Sequence, residues 1–256
     1  MLLSNKNAVI YGAGGSLGST IARAFAKEGA TIFLAGRTKS SLEKVAKEII
    51  AAGGKAETAV VDAMNEKAVN DHMNGIIKQV GSIDISFNLV GLYDVHGVPL
   101  IDLALEDFTR PLTIAMQSHF ITSTAAARQM IRKKSGVILC LTATPGGSAY
   151  PLTGGFGPSC KAMEGFYGNL ASEIGPEGVR VVTIRSGGSP DSAVFIESMS
   201  KEGTLSKMDF DSVVNGTMLK RLPLMADIAN IAVFLASDHA SAITGTAINA
   251  TCGTNT

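Results

Sequence analysis

The first residues that could do chemistry are glycines clustered near the amino terminus. Gly12, Gly14, Gly15 and Gly18 follow a short apolar run and open a segment with helical apolar spacing. Glycines at such a turn let the backbone approach a ligand, and free N–H groups at a helix N-terminus favour phosphate. A tight turn without a ligand is the alternative. The pattern predicts a loop for the pyrophosphate of a dinucleotide, formed by Gly12, Gly14, Gly15, Ser16, Leu17 and Gly18.

The end of the second predicted strand indicates which dinucleotide would bind. NAD sites usually carry an acidic residue about 20 residues after the glycines, where it contacts the ribose hydroxyls. Residues 31–40 contain no Asp or Glu, and Gly36 is followed by Arg37 and Thr38. A guanidinium at this place can pair with a 2′-phosphate, although it could also be a plain exposed arginine. We therefore expect NADP(H) as the cofactor, with Arg37 and Thr38 at its adenosine end.

The elements that must position these residues alternate along the chain. This alternation predicts a single-domain, doubly wound parallel α/β sheet over residues 1–256, with about seven strands and helices on both faces. Residues 188–222 fit the pattern least, and we expect a helical substrate lid there, with a plain helical excursion as the alternative. The predicted strands are residues 8–11, 31–35, 59–61, 83–90, 137–141, 179–184 and 246–250, and the helices are 16–27, 41–52, 67–80, 115–133, 159–174 and 228–236.

Composition excludes several classes of function. Lys and Arg together number 22, as do Asp and Glu, which argues against a nucleic-acid or anionic-membrane partner. Only three cysteines occur, and no His, Cys, Asp or Glu spacing suggests a metal site. Sparse cysteines, the absence of a signal-peptide pattern, and apolar runs shorter than the roughly 20 residues of a bilayer span predict a cytoplasmic protein.

Together these motifs resemble the short-chain dehydrogenase/reductase family, and the resemblance runs from end to end. Gly12 and Gly18 match the outer glycines of the family's nucleotide loop, while Ser16 replaces the middle one. Residues 88–91 resemble the fourth-strand motif Asn-Asn-Ala-Gly, with Leu89 at the second Asn, and residues 234–245 resemble the C-terminal signature. The resemblance implies further cofactor contacts from Asp62, Ala63, Asn88, Gly91 and Gly187.

The catalytic motif of that family is not matched. The family places a tyrosine four residues before a lysine and a serine thirteen before the tyrosine. Lys161 matches the lysine, but the tyrosine position is Gly157, and the serine position is Thr144, or Thr142 if the loop length differs. The family's asparagine aligns with Ala115. The residue that would protonate a substrate oxygen is therefore missing, a loss typically worth about 10²–10⁴ in rate.

Other residues could supply that proton. Tyr150 lies in the loop before the Lys161 segment, which borders the substrate in the family, and is otherwise a pocket wall. His96 follows Gly91 on a second such loop, and an imidazole can donate a proton near neutral pH, although a lone loop histidine is more often polar surface. Lys161 can still clamp the nicotinamide ribose, as the resemblance implies, or be a solvated lysine. The candidate catalytic set is Lys161, Thr144, Tyr150 and His96.

Two functions remain open at this point. One is an NADP(H)-dependent oxidoreductase acting on a small carbonyl, alcohol or activated alkene through a non-standard proton donor. The other is a catalytically inactive dinucleotide-binding protein, such as a redox sensor or partner subunit. Retention of both the glycine loop and Lys161 argues against a non-redox enzyme. The resemblance also implies a homotetramer or dimer, formed through the helices predicted at residues 115–133 and 159–174.

Overall fold

The computed structural model describes residues 1–200 and 210–254, and these form one parallel sheet flanked by helices. Its strands are β1 (Asn7–Tyr11), β2 (Thr31–Gly36), β3 (Lys55–Val60), β4 (Ile85–Asn88), β5 (Gly136–Ala143), β6 (Val179–Ser186) and β7 (Thr246–Ala250). Its helices are α1 (Ser16–Lys27), α2 (Lys39–Ala51), α3 (Glu66–Val80), α4 (Leu105–Lys133), α5 (Phe156–Ile174), α6 (Ala193–Ser200), α7 (Phe210–Asn215) and α8 (Met225–Ala236).

The strand order confirms the doubly wound sheet. Seven parallel strands run in the order β3-β2-β1-β4-β5-β6-β7, so the direction of winding reverses between β1 and β4. Tyr11 and Asn88 are register partners at the carboxyl ends of these two strands. Ligands of open α/β sheets bind in the crevice outside such a reversal point. The fold therefore places the residues after β1 and β4 at the edge where a ligand site is expected.

Two apolar cores hold the helices onto the sheet. Because both faces of a parallel sheet are covered, its central strands are apolar throughout rather than alternating. Helices α1, α2 and α8 pack on one face, and α3, α4 and α5 pack on the other. The first core includes Ile10, Phe25, Leu34, Ile49 and Ile228, and the second includes Val9, Phe33, Met73, Met130 and Met163.

Several predicted element boundaries were wrong, and three of them bear on the site or on the sheet edge. Helix α4 begins at Leu105, ahead of the predicted residue 115, and it continues through Pro111. A proline inside a helix normally indicates a boundary, but Pro111 is buried here beside Gly155. Helix α5 begins at Phe156, not at residue 159, which brings the family's tyrosine position into its first turn. Strand β3 begins at Lys55, not at residue 59; it is a largely exposed edge strand, so its apolar signal is weak.

A buried polar network joins the two long helices of the second core. Tyr167 of α5 lies 2.8 Å from both Nδ1 of His119 and Oγ of Ser123 on α4, measured from its hydroxyl oxygen. His119 is fully buried, and this burial lowers its pKa to about 3. The imidazole is therefore neutral at ordinary pH and holds α4 against α5 as a hydrogen-bonding group, not as a charge.

The segment of the expected lid is helical where it is described. Helices α6 and α7 lie within residues 188–222, while residues 201–209 fall outside the described part of the chain. A role for this segment as a lid stays a prediction. None of the helices within residues 1–200 and 210–254 has the length and apolar character needed to cross a membrane.

Candidate active site

The glycine loop forms a tight cradle between β1 and α1. Gly12 has a φ of +76°, and a Cβ added there would lie 2.4 Å from the carbonyl oxygen of Leu89, the residue after β4. A Cβ on Gly18 would lie 2.3 Å from the carbonyl oxygen of Gly12. A Cβ on Gly14 would also be crowded, at 2.9 Å from Cβ of Ser41. Only residues without side chains let the loop fold against β4 and α1 in this way.

The start of α1 is open to an anion. Its N-cap is Gly15, which offers no capping side chain, and the first turn contains no acidic residue. Within the described residues no capping side chain satisfies the first N–H groups of α1, and the helix dipole favours an anion at this edge of the sheet. Ser16 Oγ accepts a hydrogen bond of 3.2 Å from the backbone N–H of Ala193, so α6 begins directly above this turn. Leu17 is half-buried against the first core.

At the end of β2, Arg37 is exposed and reaches across the sheet edge. Its Nη2 donates a hydrogen bond to the hydroxyl of Tyr93, and its guanidinium carbon lies 5.6 Å from the centroid of the Tyr93 ring. Thr38 is the N-cap of α2 but makes no side-chain capping bond there. Both residues lie where the adenosine end of a dinucleotide is expected. The sequence places Tyr93 after Gly91 on a loop expected to face the pocket, but only the tertiary structure brings it to Arg37.

The ends of β3 and β4 supply the other side of the crevice. Asp62 Oδ1 accepts a 3.0 Å hydrogen bond from the N–H of Met64, and Ala63 is buried. Asn88 is also buried, and its Nδ2 donates to Ser118 and Thr122 on α4. Its Oδ1 accepts from the N–H of Val90, so this side chain fixes the loop that leads to Gly91. Gly91 is exposed, with open space where a Cβ would be.

The β5–α5 region carries the remaining parts of the family motif. Thr144 begins a 3₁₀ turn over Thr144–Gly146, and its Oγ1 donates to the carbonyl of Ser186 at 3.4 Å. Lys161 Nζ donates to the carbonyl oxygen of Gly146 at 3.4 Å. Thr142 donates instead to Glu164 Oε1 at 2.8 Å, so its hydroxyl is bound to a carboxylate inside the fold. Thr144 thus lies in the same turn that Lys161 contacts, and its match to the family's serine stays a prediction.

No acidic side chain stands at the tyrosine position. Gly157 is buried in the first turn of α5, and a Cβ there would lie 3.0 Å from Thr153 Oγ1 and 3.6 Å from Pro145 Cβ. Gly187 lies just after β6 and close to Thr251. Its N–H donates a hydrogen bond of 3.2 Å to the carbonyl oxygen of Ala250. The cradle, Lys161 and Gly187 thus share the carboxyl edge of one sheet.

Two candidate proton donors differ in their surroundings. Tyr150 is half-buried, and burial raises the pKa of its phenol. Nε2 of His96 is hydrogen-bonded to Oδ2 of Asp94, and the His96 ring lies 5.4 Å from that of Phe156, the residue before Gly157. The structure thus makes Asp94 the partner of His96 and places this pair beside the first turn of α5.

A second contact ties the His96 loop to that turn. The N–H of Gly97 donates to the carbonyl oxygen of Leu152 at 2.9 Å, and a Cβ on Gly154 would lie 2.6 Å from the carbonyl oxygen of Val95. The backbones of the two loops are therefore in direct contact. This contact fixes the Asp94–His96 pair relative to the start of α5.

The fold and the site define a dinucleotide-binding oxidoreductase class, and comparison with known proteins makes it specific. The family profile described as enoyl-(acyl carrier protein) reductase matches residues 12–255. The chain belongs to the short-chain dehydrogenase/reductase family, whose members bind NAD or NADP.

Named relatives and a solved structure agree with this assignment. Secoisolariciresinol dehydrogenase of Forsythia intermedia is 29% identical over 95% of this chain and 86% of its own length. The 7alpha-hydroxysteroid dehydrogenase of Escherichia coli K12 is 28% identical over 95% of this chain and 91% of its own. The structure of NAD⁺-bound xylitol dehydrogenase superposes with a TM-score of 0.91 at 25% identity, covering 99% of this chain and all of that one.

Proposed function

We propose that this protein is an NADP(H)-dependent oxidoreductase acting on a small carbonyl, alcohol or activated alkene. The observation that carries the proposal is a side-chain-free cradle at Gly12 and Gly18 beside an arginine without a carboxylate partner. Within residues 1–200 and 210–254, Arg37 makes no ion pair, and its contacts are with Tyr93. A free guanidinium at the end of β2 suits a 2′-phosphate, and no acidic residue competes there for ribose hydroxyls.

The residues present fit such a cofactor. The glycines leave space in the cradle that any Cβ would fill, and the N-terminus of α1 offers uncapped N–H groups. When bound, NADPH supplies the hydride. Lys161 is exposed near the 3₁₀ turn and can hold the nicotinamide ribose through its ammonium group. Thr144 carries a hydroxyl beside the same turn, and it would donate to a substrate oxygen by turning away from the carbonyl of Ser186.

His96 is the proton donor that the geometry favours. When a carbonyl is reduced, the bound cofactor would supply the hydride to the carbonyl carbon, and His96 would give a proton to the oxygen that receives the π pair. Asp94 is hydrogen-bonded to Nε2 of His96 and so fixes the orientation of the ring, as a carboxylate does for catalytic histidines. Tyr150 is the weaker candidate, since burial raises its pKa and makes it a poorer acid at neutral pH.

A substrate screen with matched variants tests this function. Ketones, aldehydes and enones are offered with NADPH to wild type, His96→Gln and Tyr150→Phe, and NADPH oxidation is followed together with NADPH affinity. We expect His96→Gln to lose about 10²-fold or more in kcat while NADPH affinity persists, and Tyr150→Phe to lose little. Loss confined to Tyr150→Phe would transfer the role of donor to Tyr150. Tight NADPH binding without turnover across the screen would support the inactive binding protein, which the dehydrogenase names of the relatives do not favour.

The same proposal includes a small-molecule substrate and a homo-oligomer, either a tetramer or a dimer. Phe120 on α4 is about half exposed and lies 6.1 Å from Phe166 on α5, ring centroid to ring centroid. Gly165 and Gly168 on α5 have open space where a Cβ would be, which permits close approach of a second helix. Light scattering on purified protein tests this assembly, and Phe120→Glu is expected to shift the mass toward the monomer.

A further inference from the structure

The contact between Arg37 and Tyr93 crosses the cofactor crevice. Arg37 follows β2 and Tyr93 belongs to the loop after β4, and β1 lies between these strands in the sheet. Neighbouring strands are about 4.8 Å apart, so the two strand ends are separated by roughly 10 Å. The side chains close this distance directly, by a hydrogen bond and by a guanidinium placed over the ring. They thus form a bridge over the carboxyl end of β1, where the glycine cradle begins.

The backbone of Tyr93 is held in a conformation that needs support. Its φ is +54°, in the left-handed region that few non-glycine residues adopt, and the side chain is 58% exposed. Arg110 on α4 donates a hydrogen bond of 3.3 Å to the carbonyl oxygen of Tyr93. Arg110 is itself anchored by Asp107 at 2.5 Å. An aromatic ring kept exposed in this conformation is a frequent mark of a functional position.

The Arg37–Tyr93 pair keeps hydrogen-bond donors that can bind an anion. Toward the described part of the chain, Arg37 donates one N–H, to the hydroxyl oxygen of Tyr93, and its other guanidinium donors have no partner there. The hydroxyl proton of Tyr93 is also free to donate, because its oxygen is the acceptor in this contact. A tetrahedral phosphate has acceptors for both groups at once, whereas a ribose hydroxyl offers a single uncharged oxygen.

We propose that Tyr93 is a specificity-determining residue, which orients the Arg37 guanidinium and donates its own hydroxyl to the adenosine 2′-phosphate of NADP(H). The proposal rests on the proposed NADP(H) specificity and adds a second donor to it. Tyr93 thereby contributes to the preference for a 2′-phosphate over a 2′-hydroxyl. The ring of Tyr93 remains over the adenosine end of the crevice whether the ribose carries a 2′-phosphate or a 2′-hydroxyl.

Binding measurements test the proposal without a known substrate. Dissociation constants for NADPH, NADH, 2′,5′-ADP and 5′-AMP are measured by fluorescence or calorimetry for wild type, Tyr93→Phe, Arg37→Ala and the double variant. We expect Tyr93→Phe to weaken NADPH and 2′,5′-ADP by about three- to tenfold, and NADH and 5′-AMP by less than about twofold. The double variant should bind NADPH no more than about twofold more weakly than Arg37→Ala, because the two groups act together.

Arg132→Ala is the matched charge control. Arg132 is exposed near the end of α4, at the opposite edge of the sheet. Its substitution removes the same charge as Arg37→Ala without touching the crevice. Thermal unfolding of each variant checks that the fold is kept. Equal weakening of NADPH and NADH by Tyr93→Phe, or no weakening of either, would overturn the role of Tyr93 while leaving Arg37 in place. A wild type that binds NADPH and NADH equally would instead overturn the proposed NADP(H) specificity.

Discussion

Gly18 packs against the backbone of Gly12, so that a Cβ on Gly18 would lie 2.3 Å from the Gly12 carbonyl oxygen. This contact joins the first turn of α1 to the end of β1, and no side-chain rotation could relieve it, because the obstacle is backbone. Alanine would favour the helix slightly, but the loop would have to move.

Gly18→Ala is therefore expected to lower the free energy of unfolding by roughly 1–2 kcal/mol and to weaken NADPH binding. Gly15→Ala is the matched control for stability, since its Cβ would approach the Gly12 carbonyl oxygen only to 3.4 Å. Urea unfolding of both variants measures the difference. Equal stability of the two would contradict the close packing of α1 on β1.

The neutral state of His119 makes stability depend on pH. Burial lowers its pKa from 6.5 to about 3, so the unfolded chain binds a proton that the folded chain refuses between these values. The contribution of neutral His119 to the free energy of unfolding is complete above the pKa of the unfolded chain. It is lost as pH falls from about 6.5 toward 3, at up to about 1.4 kcal/mol per pH unit. Urea unfolding between pH 7 and pH 4 measures the slope. His119→Gln should flatten it, whereas the exposed His239→Gln should not; unchanged slopes in both would refute the assignment.

The ion pair between Glu164 and Arg185 supports the turn that carries Thr144. Arg185 Nη2 lies 2.5 Å from Glu164 Oε2, and both side chains are less than one-fifth exposed. Arg185→Met would leave a largely buried carboxylate with the Thr142 hydroxyl as its one remaining partner among the described residues, at a cost of about 2–4 kcal/mol. Denaturant unfolding should show that adding Glu164→Gln to Arg185→Met restores part of this loss. A double variant as unstable as the sum of the single variants would indicate that the pair does not interact.

Restoring the phenol tests whether the rest of the family's site is in place. A Cβ at Gly157 would crowd Thr153 Oγ1, so the substitution is made together with Thr153→Ala. We expect Thr153→Ala with Gly157→Tyr to reduce a ketone substrate at least about tenfold faster than Thr153→Ala alone. Thr153→Ala with Gly157→Phe is the control for bulk and should show no gain. A folded, NADPH-binding tyrosine variant without faster turnover would mean that Lys161 does not reach the added hydroxyl.

Local pattern was enough for much of this protein. The order of strands and helices follows from apolar periodicity, and the cradle follows from glycines placed between a strand and a helix, because both depend on residues close together in the chain. The absence of a tyrosine before Lys161 can also be read directly from spacing. The ends of the elements were predicted less well. Pro111 suggested a helix boundary, but it is buried within α4, and edge strand β3 lacks the apolar run that marks a central strand.

Long-range contacts could only be decided by the tertiary structure. Arg37 and Tyr93 are 56 residues apart, and it is the sheet order, with β1 between their strands, that brings them together. The same holds for Glu164 with Arg185 and for the loops that place the Asp94–His96 pair beside α5. A side chain's partner across the sheet depends on strand order and loop packing, which no local spacing encodes, whereas a helix start or a phosphate loop is encoded by the residues that form it.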